Sequence, residues 1–305
     1  MKKISKFLAL ALGLALVLSL AACSDSGSQN SQNPGSQAPA DSQPADDNSA
    51  APADDNGGDP AGDPVTLTVG ATPVPHVEIL EVVKGLLAKD NITLEIREFT
   101  DYVQPNTAVE DGSLDANYFQ HITYMNQFNE ESGTHLVSVA GIHYEPFAVY
   151  AGKTASLAEL PDGAQVGVPN DATNEARALL LLAQEGLITL KDPSDIYATQ
   201  LDIVDNPKNL KIVELEAAQL TSRLADLDVA VINGNYALDA GLKSEDALAV
   251  EAATGAAAEA YVNVLTVKEG RENDEAILKL AEALQSPEVK AFIEENYGGG
   301  VVALF

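Results

Sequence analysis

The chain has 305 residues, a formal net charge of −29 from 46 acidic against 17 basic side chains, and a single cysteine. Charge of that sign argues against nucleic acid and anionic lipid headgroups as partners, and one cysteine cannot close a disulfide within the chain. Neither a Gly-x-Ser-x-Gly elbow nor a His-Glu-x-x-His pair occurs, so hydrolase chemistry has no motif behind it, and we expect no enzyme, cofactor or metal.

Lys2, Lys3 and Lys6 precede an apolar run from Phe7 to Leu18, a charged segment followed by a hydrophobic one as in export signals. The run falls short of the roughly 20 apolar residues that span a bilayer. It ends in Leu20-Ala21-Ala22-Cys23, which resembles the bacterial lipobox, where the cysteine is lipidated and becomes the mature N-terminus. Residues 1–22 are therefore expected to be a signal peptide and Cys23 a palmitate-bearing membrane anchor; the alternative is an ordinary cleavage site with an incidental cysteine. From Ser24 to Pro64 the chain holds eight acidic residues, no Lys or Arg, and almost only small or polar types. Such a segment cannot bury a core and is expected to be a disordered tether, its ends roughly 35 Å apart as a flexible coil.

Residues 65–305 carry thirty-eight acidic against fourteen basic side chains. Here short β-branched runs alternate with helical patterns. Strands are expected at 66–70, 92–99, 116–119 and 136–140, with helices at 77–89, 106–114 and 122–132 between them. After a new start at 147–151 and a turn at Pro161-Asp162-Gly163, a second set follows. Its strands fall at 165–169, 210–215 and 229–233, and its helices at 174–186, 217–227 and from Tyr236. A last strand at 261–267 leads into helices at 274–285 and 287–295. Strand-helix-strand rhythm means βαβ units and largely parallel sheets. Two such sets with a returning strand predict an α/β protein of two lobes, the first about 65–145 plus 262–305 and the second about 146–261. Ligands in such folds bind at the carboxyl ends of strands.

Nine of the sixteen Phe and Tyr residues fall between Phe99 and Tyr150, which suggests an apolar pocket fed by Asp115-Ala116-Asn117-Tyr118-Phe119-Gln120-His121 and Tyr124. Arg177 is the other unusual residue. It is expected in the first turn of an all-round apolar helix, where the macrodipole opposes its charge and burial demands an anionic partner. A ligand carboxylate would suit its bidentate fork; a structural pair with Glu175, Asp171 or another acid is the alternative.

Asp101-Tyr102-Val103-Gln104-Pro105-Asn106, the 115–121 stretch, Pro169-Asn170-Asp171 with Asn174-Glu175-Ala176-Arg177-Ala178-Leu179, and Val231-Ile232-Asn233-Gly234-Asn235-Tyr236-Ala237 together resemble the NlpA/MetQ family of substrate-binding lipoproteins. The resemblance spans 65–305. It implies a two-lobed periplasmic-binding-protein-like fold on the outer face of the cytoplasmic membrane, a monomer that captures methionine (L-methionine foremost) and delivers it to a permease and its ATPase. It also implies that Tyr102, Phe119 and Tyr124 wall the side-chain pocket, that His121 borders it and hydrogen-bonds, and that Arg177 holds the α-carboxylate. Asn233 would accept the α-ammonium through its amide oxygen with help from Asn235; Tyr144, Asn170 and Gln219 are further candidates. On this reading Arg177→Ala abolishes binding and leaves the fold intact.

D-Methionine, a methionine derivative or a methionine-containing dipeptide remain alternative ligands. His76, His121 and His143 at strand ends raise a divalent-metal receptor, although none has close ligand spacing. An adhesin or scaffold would fit the tether but would not require Arg177 in a buried helix.

Overall fold

The computed structural model describes residues 64–252 and 255–305. The expected signal peptide, the Cys23 anchor and nearly all of the tether lie outside the described residues. In chain order the first part is β1 (Val65–Ala71), α1 (Glu78–Leu87), β2 (Ile92–Glu98), α2 (Gln104–Glu110), β3 (Ala116–His121), α3 (Ile122–Ser132) and β4 (Leu136–Tyr144). The chain then runs through β5 (Ala148–Ala151), β6 (Gln165–Pro169), α4 (Ala172–Gln184), β7 (Thr189–Leu190), β8 (Ile203–Asp205), β9 (Lys211–Leu215), α5 (Leu220–Arg223), β10 (Val229–Ile232), α6 (Gly234–Asp239), β11 (Ala249–Val250) and α7 (Gly255–Ala260). It closes with β12 (Val262–Lys268), α8 (Glu275–Leu284), α9 (Pro287–Tyr297) and β13 (Val302–Ala303).

Two sheets result, ordered β13-β4-β12-β3-β1-β2 and β11-β5-β10-β6-β9, with β7 and β8 forming a small third. The chain passes from the first to the second between Tyr144 and Ala148 and returns between Val250 and Val262. In each sheet three strands are parallel: β2, β1 and β3 in one, β9, β6 and β10 in the other. The expectation of largely parallel sheets holds only for those three. β12 runs antiparallel to both β3 and β4, and β5 antiparallel to β10, because strands beside the crossings return the chain without an intervening crossover helix.

Each sheet is stabilised by its own apolar layer. The α1 stripe of Ile79, Leu80, Val83 and Leu87 is buried against Leu67 and Val69 of β1 and Ile277, Leu280 and Leu284 of α8. Ala178, Leu179, Leu181 and Leu182 of α4 are buried with Val166, Val168, Val229 and Val231 of β6 and β10. Each fully buried Leu, Ile or Val contributes on the order of 1.5–3 kcal/mol.

Three of the helix boundaries that depart from expectation have a clear local reason. α2 starts at Gln104 instead of 106 because the Asp101 Oδ1 accepts the N–H groups of Val103 and Gln104, both at 2.8 Å. α4 starts at Ala172 because the Asp171 carboxylate caps it, accepting the Asn174 N–H at 3.0 Å; Arg177 therefore sits in the second turn, where the macrodipole opposes it less. The helix expected over 217–227 is only α5 with a short 3-10 turn on each side. Its end is pre-empted: the Leu227 and Asp228 carbonyls accept the Lys153 and Gly152 N–H groups.

That docking requires glycine at 152. A Cβ there would lie 2.3 Å from the Leu227 oxygen and 2.4 Å from that of Leu224, both backbone atoms fixed by the turn. Gly152→Ala is expected to cost about 3 kcal/mol, read as a lower midpoint in urea; an unchanged midpoint would mean that the β5 end is not anchored there.

Candidate functional site

The carboxyl ends of β3, β6 and β10 meet around a small cavity between the two sheets. One wall is aromatic. Tyr102 follows the turn capped by Asp101, Phe119 lies in β3, and Tyr124 is in the first turn of α3; their ring centroids are 5.6 to 6.4 Å apart. Tyr236 of α6 stacks on Tyr102 at 5.0 Å. The same rings tie the sheets together: the Tyr102 hydroxyl donates to Asn235 Oδ1 at 2.5 Å, and the Tyr236 hydroxyl to the Thr100 carbonyl at 3.1 Å.

The opposite corner is polar, and its amide orientations follow from one carboxylate. Asp171 can only accept, so the Asn174 Nδ2 turns toward it at 2.9 Å. Asn174 Oδ1 then faces the cavity side, where it accepts Asn233 Nδ2 at 2.8 Å and lies 3.2 Å from His121 Nε2. Asn233 is thereby fixed with its Oδ1 unpaired: this buried atom has no hydrogen-bond partner among the described residues. An enclosed acceptor left unpaired costs on the order of 1–3 kcal/mol, so it marks a place for a donor.

His121 borders the cavity, but its two ring nitrogens are occupied. Nδ1 accepts the Tyr124 N–H at 3.0 Å as the cap of α3, which leaves the proton on Nε2 for Asn174. Burial, with Arg177 nearby, lowers its pKa to about 3, so the ring is neutral at pH 7. The hydrogen bonding expected of His121 is met within the protein, and the ring serves as wall.

Arg177 lines the cavity, 4 % exposed, with its partner already in place. Nε and Nη2 grip the Glu251 carboxylate, at 3.0 Å to Oε1 and 2.6 Å to Oε2, and Nη2 also donates to the Glu145 carbonyl at 2.8 Å. The guanidinium lies over the Tyr261 ring at 4.1 Å and beside Phe147 at 4.9 Å. Burial alone would raise Glu251, yet the guanidinium holds its carboxyl below the usual range. The internal-acid alternative is therefore realised, through Glu251 rather than Glu175 or Asp171. Nη1 makes no hydrogen bond to a described residue.

Of the expected site residues, Tyr102, Phe119, His121, Tyr124, Arg177, Asn233 and Asn235 line the cavity. Tyr144 and Asn170 do not. The Tyr144 hydroxyl is committed to the Glu251 carboxylate, and Asn170 is exposed in a separate depression behind Tyr102 and Tyr124. Gln219 is exposed and bonded to Glu216. The sequence reading gave no site role to Gln120, Glu145, Asn174, Gly234 and Asn263 in the wall; Glu145 directly follows β4, and Asn174 three residues before Arg177 was a readable signal.

Behind Glu145 lie His76 and His143, the one group of histidines and carboxylates among the described residues close enough to share an ion. Their ring nitrogens are already hydrogen-bonded within the protein. His143 Nε2 meets Glu145 Oε1 at 2.8 Å and its Nδ1 meets the Tyr118 hydroxyl at 2.5 Å, while His76 Nε2 meets Asn263 Oδ1 at 3.1 Å and its Nδ1 Thr72 Oγ1 at 2.8 Å. The set is complete as a hydrogen-bond network.

The profile of the NlpA lipoprotein family matches residues 67–305. The D-methionine-binding lipoprotein MetQ of Escherichia coli K12 is 42 % identical over 79 % of this chain and 89 % of its own length. Membrane lipoprotein TpN32 of Treponema pallidum is 43 % identical over 78 % of this chain and 88 % of its own. Among solved structures, a nutrient binding protein from Burkholderia cenocepacia bound to methionine is 44 % identical with a TM-score of 0.74, covering 78 % of this chain and all 100 % of the other. A lipoprotein from Ruminococcus gnavus is 52 % identical with a TM-score of 0.77, covering 79 % and 99 %.

Proposed function

The chain belongs to the NlpA lipoprotein family, and from that premise we propose that its cavity captures methionine outside the cytoplasmic membrane and delivers it to an ATP-driven importer. The two-lobed fold is that of periplasmic substrate-binding proteins of methionine transporters. The observation that carries the reading is the buried, unpaired Asn233 Oδ1 beside three aromatic rings. An α-ammonium satisfies that acceptor, an α-carboxylate reaches the free Nη1 of Arg177, and a thioether fills the space between Tyr102, Phe119 and Tyr124. Each sulfur-aromatic contact contributes about 0.3–1.5 kcal/mol.

The aromatic wall belongs to the first sheet's lobe, while Asn174, Arg177, Asn233 and Asn235 come from the second's. Only the closed arrangement presents both sets, so ligand favours closure by making contacts that the open form lacks. In the proposed setting Cys23 anchors a monomer through lipid, the 24–64 segment is the tether, and a membrane permease with its ATPase receives the ligand.

Calorimetric titration of protein stripped of bound ligand by unfolding and refolding tests this. One-to-one binding of L-methionine, with a matching rise in melting temperature, is expected; parallel titrations with D-methionine, the sulfoxide and a methionine dipeptide rank the ligands. No heat with any of them, together with a response to zinc or manganese, would replace the proposal with a metal receptor.

A further inference from the structure

Glu145 has no place in the roles assigned so far, yet it is a buried carboxylate in the cavity wall, 6 % exposed. Its Oε1 accepts His143 Nε2 at 2.8 Å and lies 3.5 Å from His76 Nε2. A carboxylate only accepts, so His143 carries its proton on Nε2 and receives the Tyr118 hydroxyl at Nδ1; likewise His76 donates to Asn263 and receives Thr72. Both imidazoles are thereby held as neutral donors, and burial lowers their pKa values to about 4 and about 3. They orient Glu145 without neutralising it.

Oε2 receives no side-chain hydrogen bond among the described residues. It lies against α6 where Gly234 provides space: a Cβ on residue 234 would be 2.7 Å from it. The residue before that glycine is Asn233, whose Oδ1 is the unpaired acceptor. The unpaired amide oxygen and the buried carboxylate therefore adjoin the same glycine.

The Arg177 charge nearby compensates Glu145 only in part, and burial still raises its carboxyl. Arg177 gives its backbone carbonyl one bond, but the guanidinium is gripped by Glu251. His121 is neutral, and Asp171 is spent on the cap of α4. A buried carboxylate without a counter-ion costs several kcal/mol, and a cation delivered by a ligand offsets that cost.

We propose that Glu145 is the counter-charge for the ligand's ammonium group and makes the cavity selective for free amines, beyond the neutral hydrogen bond at Asn233. The inference rests on the methionine reading and adds a specificity determinant to it. Ligands with an acylated amine, or with hydroxyl or hydrogen in its place, are rejected because they bring no cation to the buried Glu145 charge. Burial works in the opposite sense to ionisation, raising the carboxyl's pKa, while the Asn235 N–H favours the charged form.

The test uses methionine, its hydroxy analogue and its des-amino analogue (methylthiobutanoate) on wild type and Glu145→Gln, with ligand-free melting as the fold control. Wild type should bind the hydroxy analogue at least about a hundredfold more weakly than methionine, because a neutral donor serves Asn233 and not Glu145. Glu145→Gln should lose at least about thirtyfold in methionine affinity and hold the des-amino analogue as well as wild type does, or better. Equal losses for both ligands would assign Glu145 a structural role and overturn the inference. Should the variant fail to fold, the wild-type series decides alone: hydroxy analogue and methionine binding within threefold of each other overturns it. Absence of methionine binding by wild type would instead remove the methionine reading, and this inference with it.

Discussion

Arg177→Ala is expected to lose methionine binding by two to three orders of magnitude and, in the same step, to destabilise the fold by about 3–5 kcal/mol. The first effect follows from Nη1, the arm left for the ligand carboxylate. The second corrects the expectation that the fold would stay intact. Glu251 receives three hydrogen bonds from Arg177, and its side chain is only 12 % exposed. Removing the guanidinium leaves that carboxylate buried with only the Tyr144 hydroxyl and the Phe147 N–H. The two effects separate in Arg177→Ala with Glu251→Gln, where the stranded charge is gone: urea midpoints should recover toward wild type while calorimetry still shows no tight binding. Wild-type affinity in Arg177→Ala would end the carboxylate assignment. Wild-type stability in it would mean that Glu251 is solvated well enough without its partner.

Lowering the pH from 6.5 to 5 should destabilise the protein steeply. His76, His121 and His143 are buried neutral, with pKa values lowered from 6.5 to about 4, about 3 and about 3, chiefly by burial. Their folded-state values are depressed, so the unfolded chain binds protons first. The stability they contribute is whole above pH 6.5 and is lost as the pH falls toward their folded values. Each histidine in that window gives a slope of up to about 1.4 kcal/mol per pH unit, hence about 4 for three. Glu145, Asp171 and Glu175, raised by burial, work against them with at most one proton each, so the net slope falls below about 4 kcal/mol per unit. Urea denaturation at half-unit pH steps measures this directly. A flat profile between pH 6 and 5 would show that the three rings are protonated or hydrated in the folded protein.

What the sequence disclosed follows physical range. Val65–Ala71, Ile92–Glu98 and the α1 stripe are local patterns, and periodicity alone brings them out. The two-residue strands β7, β11 and β13 are too short to have a period. Glu251 was illegible for a different reason: it lies 74 residues beyond Arg177, after a strand of two residues, with nothing near it to mark a buried acid. Phe119 and Asn233 could be placed at strand ends from pattern. That Asn233 presents its oxygen, however, depends on a relay from Asp171 through Asn174 that only the folded chain assembles. That His121 spends its Nδ1 on the first turn of α3 was not legible either, a capping role that histidine seldom advertises in sequence.

The most direct measurement is a crystal structure of the stripped protein soaked with L-selenomethionine, with the selenium located by anomalous scattering. The only methionine among the described residues is Met125, so a selenium signal from the ligand stands apart. The account predicts one strong peak between the rings of Tyr102, Phe119 and Tyr124, with the ligand nitrogen within hydrogen-bond distance of Asn233 Oδ1 and its carboxylate on Arg177. A peak elsewhere, or a ligand whose carboxylate points away from Arg177, would contradict it.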